Sequence, residues 1–173
     1  MAKIIIYIAQ SLNGKIAEEN GSIDWLNQFE TEDYGYNQFL STIKVVLMGN
    51  KTYHQVLTFG NEFPYKSKEV YVFSRNKAVT KDYNVSFISE NIACFVENLK
   101  KSSNSNIWLV GGAEIITILV ENEMVDELRI FTMPIILRSG INLNSIDCNK
   151  KLKLIDTKTY NNGVLESNYE IIY

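Results

Sequence analysis

Hydrophobic positions along the chain fall into short runs rich in β-branched residues. The runs are Lys3–Ala9, Val45–Met48, Val70–Phe73, Val85–Ile88, Ile107–Val110 and Asp126–Met133. Continuous apolar runs of this length predict strands buried on both faces. Between them the period changes to that of a helix. Tyr36, Phe39, Leu40 and Ile43 form one apolar stripe, behind Thr31 as an N-cap with Glu32 and Asp33 in the first turn. Glu90–Lys101 carries a second stripe of Ile92, Phe95, Val96 and Leu99, and Ala113–Glu121 reads as a third helix. A short helix is expected after Thr52. Strands alternating with helices predict an α/β protein with a mostly parallel sheet covered on both faces. The C-terminal part departs from this rhythm. Leu152–Tyr160 and Val164–Tyr173 flank Asn161-Asn162-Gly163, which reads as an antiparallel hairpin because Asn-Gly supplies the positive φ of a tight turn.

The 173 residues, of which 46% are hydrophobic and 21% charged, fit one globular domain spanning 1–173. The net charge is −3, and no basic tract marks the chain as a partner of nucleic acid. His54 is the lone histidine, and Cys94 and Cys148 stand apart with no CxxC spacing, so no metal site is expected. Isolated thiols fit a reducing compartment. The apolar run at Ile4 is too short for a secretory signal or a bilayer span, which points to a cytoplasmic protein that engages no membrane.

Three strand ends carry chemistry-bearing turns: Met48-Gly49-Asn50-Lys51-Thr52, Phe73-Ser74-Arg75 and Val110-Gly111-Gly112-Ala113-Glu114. In open α/β sheets, ligands sit beyond the carboxyl ends of strands. Helix N-termini offer free N–H groups and positive dipole to phosphate. Each turn alone is also readable as a tight connection or a solvated loop. Neither GxGxxG nor GxxxxGK[ST] occurs.

Taken together and in order, these motifs resemble the dihydrofolate-reductase-like superfamily, nearest to the reductase domain of the bifunctional riboflavin-biosynthesis enzyme and its stand-alone members. Ala9-Gln10-Ser11-Leu12-Asn13-Gly14 is similar to the first strand and substrate loop of that family, and Ile23-Asp24-Trp25-Leu26 to its Trp-bearing continuation. Val125-Asp126-Glu127-Leu128 and the stretch from Pro134 to Gly140 match its later pieces. The resemblance implies a three-layer dihydrofolate-reductase-like fold, NADPH as hydride source, and a homodimer joined through the C-terminal strands. It implies that Gly49, Asn50, Lys51 and Thr52 face the cofactor phosphates. Ser74 and Arg75 would meet the ribose 2′-phosphate, and Gly111, Gly112, Ala113 and Glu114 the pyrophosphate. Ala9, Gly14 and Val110 would lie along the cofactor, and Asn13, Trp25 and Asp33 beside the substrate. Asp33 is the candidate proton donor, with Glu30 and Glu32 as competitors. It is also readable as a plain helix-dipole acid, and Trp25 as plain core.

Departures from the family pattern bear on the substrate. Asn50 stands where the family has arginine, with Lys51 as the compensating cation. Between Tyr53 and Phe73 there is no arginine to hold a substrate carboxylate, only Lys66 and Lys68. Val110 replaces a glutamate that meets the substrate's sugar in the riboflavin enzyme. Asn13 stands for aspartate and Arg138 for glycine. The expectation is a reductase of a small heteroaromatic or carbonyl compound other than dihydrofolate or the riboflavin intermediate. The alternatives are a catalytically silent nucleotide-binding or regulatory homodimer, and a structural homodimer.

Overall fold

A computed structural model of the chain describes residues 2–60, 62–78, 82–143 and 149–173. Cys148 lies outside the described residues, whereas Cys94 is exposed. The strands are β1 (Ile4–Ser11), β2 (Lys15–Ala17), β3 (Ile43–Gly49), β4 (Glu69–Phe73), β5 (Ser86–Ile88), β6 (Asn106–Gly111), β7 (Glu127–Met133), β8 (Ile141–Asn142), β9 (Lys151–Thr159) and β10 (Leu165–Ile172). The helices are α1 (Tyr36–Ser41), α2 (Asn50–Val56), α3 (Ile92–Ser102) and α4 (Ala113–Glu121). The main sheet runs β5-β4-β3-β6-β1-β7-β10-β9, parallel from β5 through β7. The strand β10 pairs antiparallel with both β7 and β9.

The double-sided apolar pattern explains the three layers. Ile4, Ile6, Val45, Leu47, Ile107 and Leu109 pack against α3 and α4. Their neighbours Ile5, Val46, Met48 and Trp108 point the other way, against Phe39 of α1 and Tyr53 and Val56 of α2. Because side chains alternate across a strand, a covered sheet needs apolar residues at every position. The hairpin forms as expected. Tyr160 donates its N–H to Val164 O, Gly163 returns one to Tyr160 O, and Gly163 has φ +85°.

One element is corrected. The first helix does not begin behind Thr31. It begins at Tyr36, capped by Gly35, and is six residues long, so Ile43 belongs to β3. Tyr34 (φ +52°) and Gly35 (φ +74°) are both left-handed, and an α-helix of L-residues cannot run through two such positions. Ahead of them, Asp24–Phe29 forms a 3₁₀ stretch that buries Trp25 and Phe29 against Phe131, Met133 and Val164. Burial of those two rings overrides the capping signal at Thr31. The short helix around Thr52 starts earlier than expected, directly after Gly49. The small β2–β8 sheet is an addition to the expected elements.

Candidate active site

Sheet register brings the three turns together. Gly49 lies opposite Phe73 across β3 and β4, and Met48 lies opposite Gly111 across β3 and β6. All three strands are parallel, so their carboxyl ends share one edge, as ligand sites of open sheets require. Gly49 and Gly112 cap α2 and α4, neither with a side-chain hydrogen bond.

The turns abut closely. A Cβ on Gly49 would lie 3.3 Å from Ile115 Cγ1 and 3.6 Å from the Gly112 nitrogen. One on Gly112 would lie 3.3 Å from Thr52 Oγ1. Gly111 has φ +134°, a conformation that favours glycine, and the Gly111–Gly112 peptide is cis. Arg75, two residues beyond β4, pairs with the Glu114 carboxylate in the first turn of α4. Ser74 holds the same turn, its Oγ accepting from Asn76 N at 3.2 Å. Asn50 and Thr52 are half-buried and Lys51 is exposed.

The predicted substrate side is further from expectation. Asn13 is occupied by its own chain. Its Oδ1 accepts from Ser11 Oγ (2.8 Å) and Leu137 N (3.1 Å), and its Nδ2 donates to Leu137 O (2.8 Å). That clamp joins the first loop to the stretch after β7 and turns on Gly14, which has φ +78°. Trp25 is buried, and its indole Nε1 has no hydrogen-bond partner. Asp33 is exposed and precedes α1 rather than lying in its first turn. It accepts 2.6 Å from Asn37 Nδ2. Glu30 is exposed and Glu32 half-buried. Ala9 and Val110 are half-buried near the ends of β1 and β6. His54 is exposed on α2, and Trp108 is core. Neither lysine offers a free hold for a substrate carboxylate. Lys68 donates to Leu40 O and Ile43 O, and Lys66 pairs with Glu62.

An aromatic cluster that no sequence motif marks lies beside Asp33. Tyr7 of β1 stacks on Phe39, with centroids 4.7 Å apart, and meets Tyr36, Trp108 and Phe131. Its hydroxyl donates to Tyr34 O at 2.9 Å. Burial, then the Glu166 carboxylate, with Asp33 contributing less, pushes the Tyr7 phenol well above its usual range. Burial likewise raises Tyr36, whose hydroxyl is hydrogen-bonded with that of Tyr65. Glu166 itself accepts from Tyr160 OH at 2.7 Å and Asn168 Nδ2 at 3.0 Å. The available signal was a tyrosine interrupting the isoleucines of β1. An open recess of about 370 Å³ between Glu18–Asn20 and Leu137–Ser139 shares none of the predicted site residues.

Residues 2–165 match the family model of the RibD C-terminal domain. The chain belongs to that family. It is 41% identical over 164 residues to the uncharacterized protein YwjB of Bacillus subtilis, covering 94% of each. Among solved structures, a Shewanella sp. PV-4 protein ascribed to riboflavin biosynthesis matches with TM-score 0.87 at 24% identity, over 100% of both chains. Dihydrofolate reductase from Enterococcus faecalis, complexed with NADP(H), matches with TM-score 0.69 at 13% identity, over 98% of this chain and 96% of that one. These two likenesses establish the dihydrofolate-reductase-like fold. Among the described residues no three His, Cys, Asp or Glu side chains cluster as metal ligands, and no helix is long and apolar enough to cross a membrane.

Proposed function

We propose that this RibD C-terminal domain protein is a reductase that transfers hydride from NADPH to a small heteroaromatic or carbonyl substrate. The observation that carries the reading is the register alignment of Gly49, Ser74-Arg75 and Gly111-Gly112 at one sheet edge. The residues fit a dinucleotide. Gly49 and Gly112 let the backbone of the two turns come close without a side chain between them, a Cβ on either meeting Ile115 or Thr52 at 3.3 Å, and Arg75 supplies a planar fork suited to phosphate. When bound, the dinucleotide supplies the hydride. The chain supplies orientation: Thr52 and the Gly111-Gly112 turn at the pyrophosphate, Ser74 and Arg75 at the adenosine ribose, and Ala9, Gly14 and Val110 along the nicotinamide side.

Reduction of C=N or C=O also needs a proton. We assign its delivery to Asp33, whose charge bears on both Tyr7 and Tyr36 and so lies beside the aromatic cluster. Asp33→Asn is expected to lower kcat while leaving cofactor affinity in place. The exposed position of Asp33 and the engagement of Asn13 favour a second reading, a nucleotide-binding module without catalysis.

We further propose that the protein acts as a homodimer, without nucleic acid or membrane partners, in the cytoplasm. The edge strand β9 supports the dimer: all nine of its residues are exposed, including Leu152, Leu154 and Ile155. Titration with NADPH and NADH by cofactor fluorescence tests the central reading. NADPH binding weakened by Arg75→Ala supports it. Absence of binding by either dinucleotide at millimolar concentration rejects it. If binding holds but no heteroaromatic or carbonyl compound is turned over, the module reading stands.

A further inference from the structure

The cation assigned above to the 2′-phosphate is already engaged. The Arg75 guanidinium is paired with the Glu114 carboxylate, thirty-nine residues further along the chain. The two residues leave from strands β4 and β6, which lie on either side of β3 in the sheet. Their pair therefore crosses the end of β3, where Gly49 keeps the backbone free of a side chain. Both side chains are largely exposed, at 87% and 65%. An ion pair so open to water adds little to folding, so stability gives it no clear purpose.

Its consequence for binding is larger. An arginine fork presents a limited set of donors, and a carboxylate and a phosphate compete for the same ones. A 2′-phosphate must displace Glu114 before it gains Arg75. An unphosphorylated ribose has no such debt, because its hydroxyls can donate to a carboxylate, as ribose hydroxyls do to the acidic residue of many NAD sites. Asn50, at the neighbouring turn, brings no charge to offset the competition, which leaves the exposed Lys51 as that turn's one cation.

We propose that Glu114 is a specificity-determining residue that holds the preference for NADPH over NADH low, so that the protein uses both dinucleotides. The proposal rests on the cofactor reading above. Glu114 acts through Arg75: it is the internal competitor of the phosphate, and Arg75 is the contested group.

The test is a fluorescence titration of wild type, Glu114→Gln, Arg75→Gln and the double variant with NADPH and NADH, with circular dichroism to verify folding. Wild type is expected to bind NADPH no more than about tenfold more tightly than NADH, an exposed charge being worth little net. Glu114→Gln should raise that ratio about fivefold, mainly by tightening NADPH, since the fork is then free for a charge-assisted bond. In the Arg75→Gln background the same change should alter NADPH affinity by less than about twofold, the non-additivity of two groups acting as one. Glu114→Ala is a second variant should the glutamine form fold poorly. Binding of both dinucleotides with a ratio unmoved by Glu114→Gln overturns the role of Glu114 alone. So does an equal effect of that substitution with and without Arg75. Binding of neither dinucleotide by wild type overturns the cofactor reading, and this inference with it.

Discussion

The ammonium of Lys68 donates to the carbonyl oxygens of Leu40 (2.9 Å) and Ile43 (2.8 Å). One acceptor belongs to the last turn of α1 and the other to the first residue of β3. A single side chain thus satisfies the backbone where a helix hands over to a central strand. Lys68→Met keeps the stem and removes the donors. It is expected to cost about 1–3 kcal/mol, the loss of two part-buried hydrogen bonds from a charged donor. That corresponds to a fall in Tm of about 2–4 °C per kcal/mol for a chain of this size. A melting curve superimposable on wild type would show the bonds to be idle.

Alkaline stability should track the buried phenols. Tyr7 and Tyr65 both have their ionisation raised above the ordinary phenol value of 10.0, with burial as the main cause. The folded state therefore holds protons that the unfolded chain releases first. Stability is full below the unfolded pKa and falls as pH rises past it. Unfolding should begin above about pH 10, with tyrosinate absorbance and loss of circular dichroism rising together. Tyr65→Phe, which leaves no ionisable group there, should soften that decline. Tyrosinate absorbance that develops fully while the fold persists would contradict the burial argument.

Gly49→Ala separates cofactor binding from folding. Gly49 has φ −78°, so alanine meets no backbone strain. Its Cβ would stand 3.3 Å from Ile115 Cγ1 and 3.6 Å from the Gly112 nitrogen, within the space between the two turns. Dinucleotide affinity is expected to fall by more than about tenfold, that is by more than about 1.4 kcal/mol, with a smaller loss of thermal stability as the Ile115 side chain gives way. Equal affinities for variant and wild type would place the cofactor elsewhere.

The edge strand makes a prediction about assembly. Exposed Leu152, Leu154 and Ile155 on a sheet edge are a liability in a monomer, which commonly carries charge or proline there. Lys151, Lys153 and Lys158 supply some of that protection. Sedimentation should report a dimer for wild type, and Leu154→Arg should shift it toward monomer. A wild-type monomer at every accessible concentration would remove the homodimer from the proposal.

The sequence legibly specifies the central strands of the main sheet, because burial on both faces demands apolar residues at every position and leaves continuous runs such as Ile4-Ile5-Ile6, whereas the short β2 and β8 carry no such run. It likewise specifies α4, whose boundaries Ala113–Glu121 are those expected, and the Asn161-Asn162-Gly163 turn, whose φ is a local property of glycine. It also names the motif residues of the proposed cofactor edge, since glycine and arginine at strand ends are read without knowing the register. Only tertiary structure decides what those residues meet. The start of α1 is set by two left-handed residues and by the burial of Trp25 and Phe29 against β7 and the hairpin, which no local pattern encodes. The pairing of Arg75 with Glu114, the occupation of Lys68 by backbone carbonyls and the stacking of Tyr7 on Phe39 join residues distant in sequence. Such contacts depend on sheet order and register, quantities fixed only when the whole chain folds.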